Sequence, residues 1–216
     1  MTTPIRHLSH RNYLNMPWRN GLGSTLEIAR ASSAAADDEF QWRLSLATVA
    51  ASGPFSHYPH YRRAVTLVNG SGFRLDIAEQ ASALLDTIGT TAMFAGAATT
   101  HCVLIGGVST DLSLMVREPG DIVSVSCLRV DAMQLLALHR GTHNAVFCLQ
   151  GEVALFQGEV ALSCSDQPVI ELETHDTALL PTQLATTHSA AVSVRAASSV
   201  PALVSLLSWR TTSAAI

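Results

Sequence analysis

The sequence lacks the features of a membrane, secreted or nucleic-acid-binding protein. No apolar run approaches the ~20 residues that span a bilayer, and residues 1–9 lack the apolar core of a secretory signal. The 13 basic residues form no Lys/Arg run and are outnumbered by 17 acidic residues, which argues against a nucleic-acid-binding surface. We therefore expect a cytoplasmic protein that binds neither nucleic acid nor a membrane.

The common sequence signatures of catalysis are absent as well. There is no Gly-x-Ser-x-Gly elbow, phosphate-binding loop or dinucleotide fingerprint, and the cysteines include no Cys-x-x-Cys pair. The sequence predicts four reduced thiols that are mostly buried as small hydrophobic side chains, namely Cys102, Cys127, Cys148 and Cys164. We assign no catalytic residue from the sequence.

Short runs that alternate apolar and polar residues dominate the chain, and helical periodicity is almost absent. Such alternation is the period-2 pattern of β-strands. In residues 41–49 the apolar side chains share one face, and the opposite face carries Arg43 and Ser45. In residues 61–68 Arg63 shares its face with apolar neighbours. These runs predict an all-β protein.

An internal repeat links two of the predicted strands. Residues 63–70 and 144–151 share an Ala-Val pair and a terminal glycine at an offset of 81 residues, and each copy leads into another strand. In the first copy the turn at Gly70 predicts a hairpin. An offset of this size matches a small jelly roll, so we predict two barrels, 1–115 and 116–216, between which strands could be exchanged.

One irregular stretch, residues 16–29, precedes the long strands. Pro17 and the glycines that follow Asn20 hold Trp18 and Asn20 on a tight backbone, and the chain then enters an alternating run that carries Glu27. Such a stretch is either the lip of a binding cavity or a structural β-turn with a core tryptophan.

The same stretch resembles the opening motif of the HutD/Ves family of bacterial cupin-like proteins. The resemblance covers about residues 13–117 and rests on Met16-Pro17-Trp18-Arg19-Asn20-Gly21, Thr25-x-Glu27-Ile28-Ala29, Trp42-Arg43-Leu44-Ser45, Gly53-Pro54-Phe55-Ser56, Phe94-x-Gly96 and Asp111-Leu112-Ser113-Leu114-Met115. It implies tandem cupin-like (bicupin) jelly-roll barrels and a regulatory protein connected with histidine utilisation. Two residues depart from the family pattern: Leu22 stands where glycine is common, and Ser113 stands where asparagine is frequent.

The resemblance makes metal binding the first question, because cupin-like barrels often hold a metal through histidines and a glutamate. Here Arg63 stands where that glutamate is expected, seven residues before Gly70. A fixed positive charge disfavours a divalent cation in the same pocket, so we expect no metal and no cofactor. The alternative is a three-histidine site in the second half, formed by His139, His143 and His188.

Six residues of the first half form the predicted ligand-binding site: Trp18, Asn20, Glu27, Arg43, Ser45 and Arg63. In a closed barrel, side chains of neighbouring strands converge in the interior. Buried arginines need partners, and one glutamate for two arginines leaves a surplus of positive charge. A guanidinium matches a carboxylate bidentately, so we expect a small organic acid as the ligand. The alternative is that both arginines are exposed or form weak surface pairs.

These observations favour a non-catalytic, regulatory protein that binds a small carboxylate. N-formylglutamate and urocanate are carboxylate intermediates of histidine utilisation, the process that the resemblance implies. Two other functions remain as alternatives: a cupin enzyme of the isomerase or oxygenase type, metal-dependent or metal-free, and a purely structural protein. An exposed barrel edge favours pairing with a second copy, so a homodimer is compatible with the sequence.

Overall fold

The computed structural model describes residues 4–17, 23–32, 39–139, 141–158, 168–182 and 191–211. Within these ranges the regular secondary structure consists of nineteen β-strands and one short 3-10 helix, His10–Asn12. The described part of the chain has no helix long and apolar enough to cross a membrane. The prediction of an all-β protein is confirmed.

The strands are short and closely spaced, as expected for a sequence of short alternating runs. In chain order they are β1 (Arg6–Leu8), β2 (Leu14–Pro17), β3 (Gly23–Ser32), β4 (Phe40–Val49), β5 (Gly53–Pro54), β6 (Tyr61–Asn69), β7 (Phe73–Ile77), β8 (Ala83–Leu85), β9 (Thr91–Ala95), β10 (Thr100–Leu104), β11 (Ser109–Arg117), β12 (Asp121–Val130), β13 (Gln134–Leu135), β14 (His143–Gln150), β15 (Val153–Gly158), β16 (Ile170–Leu172), β17 (Thr177–Leu180), β18 (Ala191–Ala196) and β19 (Ala202–Arg210).

The strands are divided between two compact units. The N-terminal unit contains the described residues of Tyr13–Ile122, and the C-terminal unit contains those of Val123–Arg210 together with residues 4–12. The units therefore divide after Ile122, seven residues beyond the boundary predicted from the sequence. The first strand of the chain, β1, belongs to the C-terminal unit because it pairs antiparallel with β17.

The N-terminal unit consists of a six-stranded sheet, β2-β3-β4-β11-β6-β9, and a four-stranded sheet, β5-β10-β7-β8. Its hydrophobic core takes side chains from both sheets, among them Val65, Leu67 and Phe94 of the first sheet and Phe73 and Leu75 of the second. Because residues two apart on a strand share a face, Arg63 lies on the core face of β6 with Val65 and Leu67.

The C-terminal unit repeats this arrangement with a five-stranded sheet, β1-β17-β14-β19-β12, and a four-stranded sheet, β13-β18-β15-β16. Its core also draws on both sheets, for example Val146, Val204, Leu155 and Val194. The strands of the sequence repeat, β6 and β14, occupy interior positions in the larger sheet of each unit. The glycines that end the two copies, Gly70 and Gly151, both have positive φ, at 93° and 80°.

The connection after β6 corrects the predicted hairpin. The strands β6 and β7 lie in different sheets, and β7 pairs with β8 and β10 instead. The turn between them is held close to another part of the chain: a Cβ on Gly72 would lie 1.9 Å from the carbonyl oxygen of Leu85. Glycine is therefore needed for the chain to pass from one sheet to the other.

Candidate functional site

A cavity of about 580 Å³ lies within the N-terminal unit. Its wall is formed by residues of β2 to β6, β10 and β11 and of the connection after β5. The polar side chains in its lining include Arg43, Ser45, Arg63, Cys102, Asp111 and Ser113. Aromatic walls are supplied by Phe55 and Tyr58. The cavity thus combines apolar surface with several convergent polar groups, the usual composition of a small-molecule site.

Strand register explains why both predicted arginines reach this cavity. The central strand β11 pairs with β4 on one side and with β6 on the other. Met115 of β11 lies opposite both Arg43 and Arg63, so these three residues form one row across the sheet. Side chains of directly paired residues project from the same face of a sheet. The arginines therefore converge on one side although they lie on strands that are not neighbours.

Arg63 is 8% exposed and sits among aromatic rings. Its guanidinium carbon lies 5.2 Å from the ring centroids of both Phe55 and Phe94, within the range of a cation–π contact. Its Nη1 donates a hydrogen bond to the Ser56 carbonyl at 3.2 Å, but its buried Nε has no hydrogen-bond partner. Burial lowers the pKa of Arg63, and the nearby Asp111 carboxylate opposes that effect.

Arg43 is half-buried and is also incompletely satisfied. Its Nη2 donates to the sulfur of Met115 at 3.5 Å, a weak interaction for a charged donor. Its guanidinium carbon lies 4.8 Å from the centroid of Phe40 and 5.8 Å from that of Tyr58. The buried Nε of Arg43 lacks a hydrogen-bond partner. Each arginine therefore has a buried N–H donor that the protein leaves unsatisfied.

Asp111 is a site residue that the sequence interpretation did not identify. It lies on β11, is 1% exposed and lines the same cavity, and its Oδ2 has no hydrogen-bond partner. Burial raises the pKa of Asp111 to about 7, against the opposing influence of Arg63. The alternation in residues 111–115, which separates Leu112 and Leu114 from the polar residues, is the signal that could have placed Asp111 on the cavity face.

The remaining predicted residues of the first half have different outcomes. Ser45 is 2% exposed and lines the cavity, and Ser113, the departure from the family pattern, lies opposite it in the register and lines the cavity too. Glu27 also pairs with Ser45 in the register but is not in the cavity lining. Its Oε1 lies 3.7 Å from Arg30 Nε. Trp18 and Asn20 are outside the described residues.

The cavity cysteine is not an activated nucleophile. Burial and the nearby Asp111 raise the pKa of the Cys102 thiol to about 12, so the thiol stays protonated at neutral pH. Cys102, Cys127 and Cys148 are free thiols, of which Cys127 is exposed and the other two are buried. Cys164 lies outside the described residues.

The histidines proposed as alternative metal ligands cannot be assembled from the described part of the chain. His139 is exposed, and its carbonyl accepts a hydrogen bond from Thr142 Oγ1. His143 stacks on Trp209 with ring centroids 5.5 Å apart, and burial lowers its pKa. His188 lies outside the described residues, and those residues contain no group of three or more His, Cys, Asp or Glu suited to hold a metal ion.

Comparisons with known proteins agree with the sequence resemblance. The family model HutD matches residues 10–198. An uncharacterised 21.2 kDa protein of the hutC 3′ region of Pseudomonas putida is 40% identical over 111 residues, which is 51% of this chain and 57% of that protein. The match therefore spans little more than half the length of that relative.

Solved structures extend the similarity to nearly the whole chain. A conserved protein of unknown function from Pseudomonas aeruginosa PAO1 is 29% identical with a TM-score of 0.81, and HutD from Pseudomonas fluorescens SBW25, solved in a formate condition, is 25% identical with a TM-score of 0.72. Both similarities cover 97% of this chain and 100% of the other. Oxalate decarboxylase from Lactobacillus farciminis, at 8% identity and a TM-score of 0.64 over 98% and 87% of the two chains, shares the cupin-like fold alone. Because the family model spans most of its length, this chain belongs to the HutD family.

Proposed function

We propose that the protein is a non-catalytic, regulatory binding protein of the HutD type whose ligand is a small carboxylate of histidine utilisation, such as N-formylglutamate or urocanate. One observation carries the proposal: Arg43 and Arg63 line the same cavity, and the buried Nε of each lacks a hydrogen-bond partner. A buried guanidinium without an anionic partner costs free energy, which an anionic ligand in this cavity would recover.

The charge balance of the cavity favours an anion over a neutral ligand. Two guanidinium groups face one buried aspartate, and burial raises the pKa of that aspartate to about 7, so its negative charge is incomplete at neutral pH. A planar guanidinium donates two parallel hydrogen bonds to a carboxylate, which makes arginine the preferred residue for this group. The aromatic rings beside the arginines exclude water and strengthen such contacts.

Size and genetic context support a small metabolite. The volume of about 580 Å³ lies within the range of roughly 300–1,000 Å³ that is typical of small-molecule sites. The relative from Pseudomonas putida lies in the hutC 3′ region, and HutD from Pseudomonas fluorescens was solved in a formate condition. Formate is the smallest carboxylate and therefore serves as the minimal probe of the arginine pair.

The experiment is a thermal-shift and calorimetric panel of N-formylglutamate, urocanate, formate, glutamate and neutral amides, with and without divalent metals. A ligand at 100 times its dissociation constant that binds only the folded state stabilises it by ~2.7 kcal/mol, so the unfolding midpoint should rise by several degrees. Mass spectrometry of the same mixtures reports any turnover, which would indicate an enzyme instead.

Arg63→Ala is the decisive variant, and Arg62→Ala is its matched control. Arg62 is the preceding residue on β6, projects from the opposite face and lies 3.6 Å from Asp121. We expect Arg63→Ala to remove the carboxylate-induced shift and Arg62→Ala to retain it. Equal binding by both variants would place the ligand elsewhere, and no carboxylate binding by the wild-type protein would refute the proposal.

A further inference from the structure

The buried carboxyl group of Asp111 is not explained by the fold. The residue lies on the central strand of the six-stranded sheet, where Ala47 and Leu67 are its cross-strand neighbours. At 1% exposure it is fully desolvated, and its Oδ2 has no hydrogen-bond partner. An unpaired buried carboxylate lowers the stability of the folded protein. A carboxyl group at this position therefore points to a functional role.

The charged and titratable groups around Asp111 come from four parts of the unit. Arg63 of β6 interacts electrostatically with Asp111, and Arg43 of β4 lines the same cavity, while Cys102 lies on β10 and Tyr58 on the connection between β5 and β6. Asp111 and Met115, which marks the arginine row, are four residues apart, about 13 Å along the strand. Among the described residues Asp111 forms no ion pair with either arginine.

Because Asp111 shares the cavity with the arginines, its charge affects how an anionic ligand binds there. An anion held by the arginine pair shares a cavity with the buried Asp111, and two negative charges in one partly desolvated site repel each other. The repulsion disappears when Asp111 carries a proton, and its O–H is then a hydrogen-bond donor in the same cavity. The neighbouring thiol cannot take this role, because burial and Asp111 raise the pKa of Cys102 to about 12.

We propose that the carboxylate ligand binds together with one proton, which Asp111 takes up from solvent, so that Asp111 faces the bound anion as a neutral carboxylic acid. This inference rests on the proposed function of the same cavity and adds a dependence on pH. Burial already brings the pKa of Asp111 to about 7 in the unliganded protein, and a bound anion raises it further. The site would therefore respond to ligand concentration and to acidity at once.

The test is isothermal titration calorimetry with N-formylglutamate and formate between pH 6 and pH 8. These ligands keep their carboxylates ionised throughout that range, so a change in affinity reports the protein. We expect the affinity to fall roughly tenfold from pH 6 to pH 8, because above pH 7 each unit of pH makes protonation of Asp111 about tenfold less favourable. Two buffers of different ionisation enthalpy at pH 8 should reveal uptake of close to one proton per ligand.

The variant Asp111→Asn tests whether Asp111 is the group that takes up the proton, because asparagine has the shape of a protonated aspartate and does not titrate. We expect its affinity to be independent of pH and its proton uptake to vanish. The same pH dependence in this variant would assign the titration to another group, such as the exposed His57 beside Ser56, and would overturn the inference.

The wild-type measurements decide the question even where Asp111→Asn fails to fold. Carboxylate binding without proton uptake, or with an affinity that rises with pH, overturns this inference and leaves the proposed function intact. The latter result would mean that ionised Asp111 accepts a hydrogen bond from an N–H of the ligand. Absence of carboxylate binding at every pH from 6 to 8 refutes the proposed function and this inference together.

Discussion

At the position that the sequence repeat makes equivalent, the N-terminal unit carries Arg63 and the C-terminal unit carries Asn144. Both are buried near the start of an interior strand. Asn144 is satisfied locally: its Oδ1 accepts a hydrogen bond from Ser208 Oγ at 2.6 Å, and its Nδ2 donates to the Thr142 carbonyl at 3.2 Å. Arg63 instead keeps a buried Nε without a partner, in a cavity.

The buried aspartates of the two units differ in the same way. In the C-terminal unit Asp176 accepts hydrogen bonds at 2.8 Å from the side chains of His7 and His10 and from the His10 backbone N–H. Burial acts to raise the pKa of Asp176, but these hydrogen bonds, with one from the Glu173 backbone, outweigh it and hold the pKa at about 2. Burial raises the pKa of Asp111, which lacks such donors, to about 7.

The two units thus treat comparable buried polar groups differently. In the C-terminal unit Asn144 and Asp176 are paired within the protein, and the bonds of Asp176 hold the N-terminal segment in place. In the N-terminal unit Arg63 and Asp111 have buried polar atoms left unpaired at a cavity, which costs stability and is the basis of the proposed ligand binding. Substituting these buried polar side chains one at a time tests the difference between the two units.

The largest effect is expected for Arg63→Ala. Loss of the guanidinium should weaken carboxylate binding by at least about 2 kcal/mol, roughly 30-fold, because a buried partner of the anion is removed. Calorimetry at pH 6 measures the affinity, and circular dichroism verifies that the variant is folded. The matched variant Asn144→Ala, in the other unit, should bind as tightly as the wild-type protein; a comparable loss of affinity in it would erase the distinction between the units.

The second effect concerns the stability of the C-terminal unit. Asp176→Ala removes the acceptor that joins His7 and His10 to the unit, so we expect a loss of about 2 kcal/mol at pH 7 in urea unfolding. Because the folded pKa of Asp176 is depressed to about 2 from 3.8, its contribution is complete above about pH 4 and is lost as the pH falls towards 2. A difference between variant and wild type that is unchanged at pH 2.5 would contradict this assignment.

Removal of the asparagine in the repeat should have a somewhat smaller effect. Asn144→Ala leaves the buried Ser208 hydroxyl without its acceptor, which costs about 1 kcal/mol or slightly more. Urea unfolding of Asn144→Ala and of the double variant with Ser208→Ala measures the coupling between the two side chains. Additive losses would show that the hydrogen bond contributes nothing to stability.

The last effect has the opposite sign and depends on pH. Between about pH 4 and pH 7 folded Asp111 holds a proton that the unfolded chain has released, so its contribution to stability falls as the pH rises through this window and remains unfavourable above it. Asp111→Asn removes this ionisation and should therefore stabilise the unliganded protein at pH 8 by on the order of a few kcal/mol, and by less at pH 5. Destabilisation at pH 8 would mean that ionised Asp111 has a favourable partner.

Alternation along single strands was sufficient for much of the prediction. It identified an all-β chain and placed Arg43 and Ser45 on one face of β4 and Arg63 on the core face of β6. These results depend only on the two-residue period of a strand, which is local and can be counted along the sequence. The family was likewise identified from contiguous motifs.

The fold class, the family and the inward faces of the strands could be predicted from the sequence, because each depends on neighbouring residues. The grouping of strands into sheets became visible in the three-dimensional fold alone, where β6 and β7 lie in different sheets instead of forming the predicted hairpin. It also brought Asp111 into the cavity of Arg43 and Arg63, while Glu27 remained outside the lining. Such groupings depend on the register of strands far apart in the chain, which side-chain periodicity does not encode.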